Sequence, residues 1–416
     1  MKLTFAPKSW FEAMRVSFGL PSGMAMLAGI FLGLTLPAMD DKFGIELPAL
    51  AFESQSSARG LLETISTATV SVAGLSFSVT IVALTLASSQ LSPRVLRTFR
   101  GDRLSQVTLA LFLGTFVYCL TLLVRLGVNG TGGEAPNLSV TIAVLLAFAS
   151  FLVFAFFIGH VIKILQPSTV VSGIYEDGVE MGRNQYPTGA GEPDHPAAAR
   201  LAARDLMRGK GPETVCSEDP GYLTLVDLDG LISCLQEKDG FARQAVAVGD
   251  YVLPGQTLVE VWPGEDGMEV LEAKVRETFV LGKQRTLVQD TAFCVRQLAD
   301  IALKGLSPGI NDPTTAENAM DAMCSLLINF ARTERPSAVR VDENADPRFL
   351  ALAPDLDDLV RLGFGQVRVA AEGSPHFNAR LMVLLNQLQA QARKANVASR
   401  EINRQKQALG SVVEVC

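Results

Sequence analysis

The chain has 416 residues, enough for about two or three domains, and only 19 % are charged, against roughly 25 % in soluble domains. Its net charge of −7 argues against a nucleic-acid binder, which carries a basic face. Six scattered cysteines without a C-x-x-C spacing, and three histidines far apart (His160, His195, His376), exclude a disulfide framework and a multi-histidine metal site and fit a reducing compartment.

The apolar excess falls in the first part of the chain. Four apolar spans are predicted, at residues 16–37, 61–88, 105–124 and 138–165. Each can cross a hydrocarbon core of roughly 30 Å, and the second is longer than the core needs. The first is too long and glycine-rich for a signal-peptide core, and Met39-Asp40-Asp41 is a poor cleavage site. Basic residues set the expected orientation. Lys2, Lys8 and Arg15 precede the first span, and Arg94, Arg97, Arg100 and Arg103 lie between the second and third. The segment between the first two spans carries Asp40, Asp41, Glu46, Glu53 and Glu63 against Lys42 and Arg59. Both termini and the arginine loop are therefore expected on the cytoplasmic side of a bacterial inner membrane, with the lipid bilayer as a partner.

Ala25, Gly29 and Gly33 form a small-residue strip in the first span, open to close approach by another helix of the same bundle or of another subunit. The second span carries Thr64, Ser71, Ser78 and Thr85 at a constant heptad spacing, with Thr67, Gly74 and Ser88 on the same side. Ser66, Thr69, Ser76 and Thr80 add a second polar patch. Each hydroxyl can bond its own backbone one turn back, so the pattern suits a tightly packed central helix and equally a helix lining a water-filled path. No Asp, Glu, Lys or Arg falls between Thr64 and Ser92, so this stretch offers nothing to an ion-coupled pump. Phe148, Phe151, Phe154, Phe156 and Phe157 suggest that the fourth span faces lipid. His160 and Lys163 at its end read as snorkelling residues, with a gate or pH sensor as the alternative. Arg94, Arg97, Arg100 and Arg103 either anchor in headgroups or form a basic mouth that concentrates anions.

Residues 167–213 mix Gly, Pro and Asn around one predicted helical piece at 196–208 and read as a connector. Residues 214–285 break into short apolar runs and turns, the pattern of a small β-domain. Gly249-Asp250-Tyr251-Val252-Leu253-Pro254-Gly255-Gln256-Thr257-Leu258 is similar to the G-D-x-V-x-x-G-x-x-L pattern of barrel-sandwich hybrid folds such as lipoyl and biotinyl carriers. Val261-Trp262-Pro263-Gly264 stands where a carrier lysine would be, so no such group, and no other cofactor, is expected. From residue 286 the periodicity is helical. Asp312-Pro313 forms an N-cap and first-turn pair that opens a new helix after Leu306-Ser307-Pro308-Gly309-Ile310-Asn311. This corner is either a helix–turn–helix joint beside an Arg296–Asp300 ion pair, or a cytoplasmic ligand site built from Arg296, Asp300, Asn311 and Asp312. Further helices are predicted at 356–371 and 377–394.

Ser71-Val72-Ala73-Gly74-Leu75-Ser76-Phe77-Ser78, Ser88-Ser89-Gln90-Leu91-Ser92-Pro93-Arg94-Val95-Leu96, Gly114-Thr115-Phe116-Val117-Tyr118-Cys119 and the run from Asp300 to Pro313 together resemble a widespread bacterial family of predicted membrane proteins, classed as a domain of unknown function. The resemblance covers nearly the whole chain, implies a membrane topology and transfers no activity. The expected fold is an α-helical membrane bundle of four transmembrane helices (1–166). A cytoplasmic α+β region follows: connector (167–213), small barrel-sandwich-like β-domain (214–285) and helical domain (286–416). No nucleophile–base pair, metal-ligand spacing or phosphate loop is visible, so an enzyme is not expected. Two functions remain. One is a homo-oligomeric channel or pore for small ions, anions favoured, with the second span lining the path and the cytoplasmic region as vestibule or gate. The other is a membrane-anchored ligand-sensing or scaffolding protein without transport activity.

Overall fold

The computed structural model describes residues 19–43, 55–91, 102–128, 136–184, 191–208, 211–262, 269–333 and 337–413. The chain divides into two compact units, Met1–Val170 and Val171–Cys416.

The first unit holds four helices: α1 (Gly19–Phe43), α2 (Gln55–Gln90), α3 (Arg103–Val128) and α4 (Asn137–Ile164). All four are long and apolar enough to cross a membrane. α2 runs for 36 residues, about 54 Å at 1.5 Å per residue, and so exceeds a hydrocarbon core by a wide margin. α3 packs against each of the other three. The small-residue strip of α1 is used here, inside the chain. A Cβ on Gly29 would lie 2.6 Å from the Gly114 carbonyl oxygen, and one on Gly33 would lie 2.8 Å from the Thr121 side chain. Gly114 in turn meets Ala25. This decides between the two readings of the strip: Gly29 and Gly33 are buried by α3, and they offer no surface to another subunit.

Polar contacts close the end of the bundle where α1 and α3 finish and α4 begins. Asp40 accepts hydrogen bonds from the Leu138 and Ser139 backbone N–H groups (3.1 and 3.0 Å) and from Ser139 Oγ (2.6 Å), so it caps the start of α4. Negative charge at a helix N-terminus is favourable because the unpaired N–H groups point at it. Tyr118 Oη donates to the Ser139 carbonyl at 2.9 Å, and Arg125 Nη1 donates to the Leu34 carbonyl at 2.6 Å. The phenylalanines of α4 divide: Phe148 is 71 % exposed, whereas Phe157 is 1 % exposed and stacks on Phe154. Phe148, Phe151 and Phe156 are exposed, as a lipid-facing helix requires, whereas Phe157 is buried and departs from that reading.

The second unit departs from the expected order at three places. Residues 167–213, read as a connector, contain an 18-residue helix, α5 (Pro167–Asn184), besides α6 (Pro196–Met207). The glycines that suggested a loop are packing notches: Gly178 faces Leu326 and Cys294, and Gly182 faces the Phe330 ring. Within the residues read as a β-domain lies α7 (Leu228–Glu237), capped by Asp227. Two strands come from the stretch read as helical. The order of the five-stranded sheet is β1 (Glu213–Cys216), β5 (Thr257–Trp262), β3 (Phe241–Gln244), β8 (Pro347–Leu350), β7 (Val339–Val341). Only β3–β8 is parallel. A three-stranded sheet holds β4 (Tyr251–Val252), β2 (Gly221–Val226) and β6 (Phe279–Gly282). The Gly249–Leu258 motif thus sends its two strands to different sheets, with turns at Gly249 (φ +97) and Gly255 (φ +81). Leu223, Leu231, Leu235, Val259, Val261, Val275 and Phe349 fill the core between sheets and helices, which include α8 (Glu269–Glu277).

The helices after β6 are α9 (Thr291–Leu306), α10 (Pro313–Arg332), α11 (Leu356–Ala370), α12 (Pro375–Lys394) and α13 (Arg400–Val413). Asp290, Asp312 and Asp355 cap α9, α10 and α11. α13 had no counterpart among the predicted helices. Its stripe of Ile402 and Leu409 is short, and polar contacts from Asp357 to Ser399, Arg400 and Glu401 fix its start.

Candidate functional site

The hydroxyls of α2 separate into two faces. Ser66, Thr69 and Ser76 are buried within the bundle and Thr80 is half-buried, whereas Thr64, Thr67, Ser71, Gly74, Ser78 and Thr85 are all exposed. Seven residues nearly close two helical turns, so the exposed set forms one continuous stripe. Gly60 and Gly74 on this side have nothing within 4 Å of a would-be Cβ. The hydroxyl hydrogens turn inward. Thr64, Thr67, Ser71 and Thr85 donate to the carbonyls of Gly60, Glu63, Thr67 and Ile81. Their oxygens keep acceptor capacity toward whatever covers this face.

Of the basic mouth, Arg103 opens α3, while Arg94, Arg97 and Arg100 lie outside the described residues. Beside Arg103 the structure builds a cluster that spacing alone did not show. His160 Nε2 stands 2.7 Å from Asp102 Oδ1. The other carboxylate oxygen, Oδ2, accepts from the Ser105 backbone N–H at 3.0 Å and from Ser105 Oγ. Thr80, Ala83 and Leu84 of α2, Asp102 and Ser105, and Val161 and Ile164 of α4 line a cavity of about 20 Å³ at this point, room for a water. Burial pushes the Asp102 carboxyl up, but hydrogen bonds from Ser105 and His160 outweigh it and hold the group below its ordinary range. His160 is therefore a paired residue, and the snorkelling reading is replaced.

The ligand candidates of the helical corner fall into two groups. Arg296 Nε pairs with Asp300 Oδ1 at 2.9 Å along α9, and Arg296 Nη1 donates to Gln366 of α11. Asn311 takes a left-handed conformation (φ 49), and Asp312 accepts from Thr315 N at 3.0 Å as the cap of α10. The hydrogen bonds from Thr315 hold the Asp312 carboxyl below its usual range. Gly305 allows the turn, since a Cβ there would lie 2.8 Å from the Asp312 carbonyl oxygen. Arg296, Asp300 and Asp312 thus have side-chain partners, and Asn311 is held by its backbone N–H on the Ser307 carbonyl.

A second buried carboxylate was not singled out by sequence. Asp290 is gripped by Arg285 through Nε and Nη2 (2.7 and 2.8 Å) and accepts from Phe293 N. A Cβ on Gly249 would collide with this pair, which explains the glycine of the Gly-Asp turn. Burial pushes the Asp290 carboxyl up despite the guanidinium. Among the described residues, no group of three or more His, Cys, Asp and Glu could hold a metal ion.

Comparison with known proteins gives a family and no solved fold. The model of the DUF2254 family, described as predicted membrane proteins, matches residues 16–387. Uncharacterized protein Mb1321c of Mycobacterium bovis and uncharacterized protein Rv1290c of Mycobacterium tuberculosis are each 30 % identical over 368 residues, covering 86 % of this chain and 69 % of theirs. No solved structure matches. The chain belongs to the DUF2254 family of predicted membrane proteins.

Proposed function

We propose that the chain assembles into a homo-oligomeric membrane channel in which the exposed stripe of α2 lines a water-filled path between subunits. The observation that carries this reading is the outward position of Thr64, Ser71, Ser78 and Thr85 together with Gly60 and Gly74. Lipid offers hydroxyl oxygens no partner, and small residues permit close approach of a second helix. Hydroxyls without charges make a weakly selective conduit. The arginines at 94, 97, 100 and 103 form its cytoplasmic mouth and favour anions, with both termini on that side. The second unit serves as vestibule or gate, and its barrel-sandwich likeness is one of scaffold, without a carrier group or a catalytic step.

Purified protein in planar bilayers should show unitary currents that fall when Ser78→Leu narrows the path. Arg94→Gln with Arg97→Gln should reduce anion preference, most visibly at low salt, because screening acts over about 8–10 Å at physiological ionic strength. A protein that passes no ions under any voltage, pH or tension overturns the channel. The second reading, a membrane-anchored ligand-sensing or scaffolding protein, would then take its place. It is favoured by the exposure of Pro308, Gly309, Ile310 and Asn311 at a corner whose backbone is tightly specified.

A further inference from the structure

We propose that Asp102 and His160 form a proton-controlled latch that holds the start of α3 against the end of α4. One carboxylate does two jobs. Its Oδ2 caps α3 through Ser105, and its Oδ1 receives His160 from 58 positions away in the chain. Segment 92–101, with Arg94, Arg97 and Arg100, ends one residue before this carboxylate. On the other side, α4 ends a few residues after His160, and α5 begins after Leu165 and Gln166. The contact thus ties the first turn of α3 to the last turns of α4.

Protonation of the imidazole decides how strongly they are tied. With a proton on both ring nitrogens the contact is an ion pair carried by a charge-assisted hydrogen bond. Loss of that proton leaves a hydrogen bond between a neutral ring and a carboxylate, which is weaker. Histidine side chains make this change within the physiological range of pH. Among the described residues that line the cavity beside the pair, Asp102 is the charged one. α2 brings only Thr80, Ala83 and Leu84 to the cavity, α3 brings Asp102 and Ser105, and α4 brings Val161 and Ile164. Arg103 and Lys163 are the nearest other charged residues along α3 and α4 among those described. The half-buried position of the pair, with the histidine side chain 34 % and the aspartate 13 % exposed, lets protons in while limiting screening. The latch is closed when histidine is charged and aspartate ionised, and it loosens as pH rises. It stands on these contacts whether or not α2 lines a path.

Hydrogen exchange of the first turn of α3, in the full-length protein in lipid nanodiscs, tests the latch without any current measurement. Each variant is compared with the unaltered protein at the same pH, which cancels the intrinsic pH dependence of exchange. At pH 5.5, His160→Gln should exchange about fivefold faster than the unaltered protein, the loss expected of one charge-assisted contact, and at pH 8.5 the two should agree within about twofold. His160→Arg, which keeps a fixed charge, should remain slow at both pH values. This second variant keeps the test decisive if His160→Gln does not fold. Equal exchange of His160→Gln and the unaltered protein at pH 5.5 overturns the latch. So does a difference of the same size at both pH values, or an His160→Arg protein that loosens with pH as the unaltered one does.

Discussion

Asp342 is wholly buried in the turn between β7 and β8, and Arg348 beside it is only 8 % exposed. The carboxylate accepts from Asn344 N (2.9 Å), Asp346 N (3.0 Å) and Arg348 Nε (2.7 Å). Arg348 Nη1 reaches on to Asp239 at 2.6 Å, so one pair joins the end of α7 to the β7–β8 hairpin. Burial pushes the Asp342 carboxyl up, but the hydrogen bonds from Arg348, Asp346 and Asn344 outweigh it, and the group titrates below the ordinary carboxylate range. A carboxyl with a depressed native value stabilises the fold above its unfolded value, about 3.9, and that contribution is lost as pH falls through the native value. Asp342→Asn leaves the guanidinium without its buried counter-charge. It should cost about 3 kcal/mol at pH 7, and progressively less as pH falls below about 3.9 toward the depressed native value. Denaturant unfolding of the solubilised protein, followed by tryptophan fluorescence, reads this difference. A variant as stable as the unaltered protein at pH 7 would show that the pair is not a structural tie.

At the scale of elements, the four spans were legible because length and apolar content suffice to identify them. Their neighbours were not. Ala25, Gly29 and Gly33 announced a close helix contact, but sequence left the partner open, and the partner is α3 of the same chain. Gly29→Leu should therefore damage the bundle itself. A Cβ there already meets the Gly114 carbonyl, so about 1–3 kcal/mol or more is lost and thermal stability in detergent should fall whether or not subunits associate. A loss of association at unchanged stability would contradict this assignment. The same limit explains the misread elements of the second unit. Gly178 and Gly182 looked like loop residues because a glycine needed for close packing and one needed for a turn are identical on paper. The strands Val339–Val341 and Pro347–Leu350 are too short to show a period of their own, and they join the sheet only because the second pairs with β3 from far earlier in the chain. Asp102 and His160 could not be joined without the fold, since each stands alone in its own segment. What sequence did place correctly were local features: the Asp312 cap, the Arg296–Asp300 pair and the helices near 356–371 and 377–394.

For the whole molecule the decisive feature is a polar stripe on an outer surface. Sequence grouped Thr64, Ser71, Ser78 and Thr85 on one side of a helix, since that follows from spacing alone. Only the fold tells that this side looks away from α1, α3 and α4, while Ser66, Thr69 and Ser76 look inward. A path lined by the stripe therefore has to form between copies of the chain, and a monomer would expose it to lipid. Cysteine accessibility along α2 in the reconstituted protein tests this most directly. A small charged thiol reagent should react with cysteines placed at Thr64, Ser71, Ser78 and Thr85, and it should spare those placed at the exposed apolar Val70 and Phe77 and at the buried Thr69. Stripe cysteines as unreactive as those at Val70 and Phe77 would show that the hydroxyl face meets lipid or protein, and would contradict a water-filled path along α2.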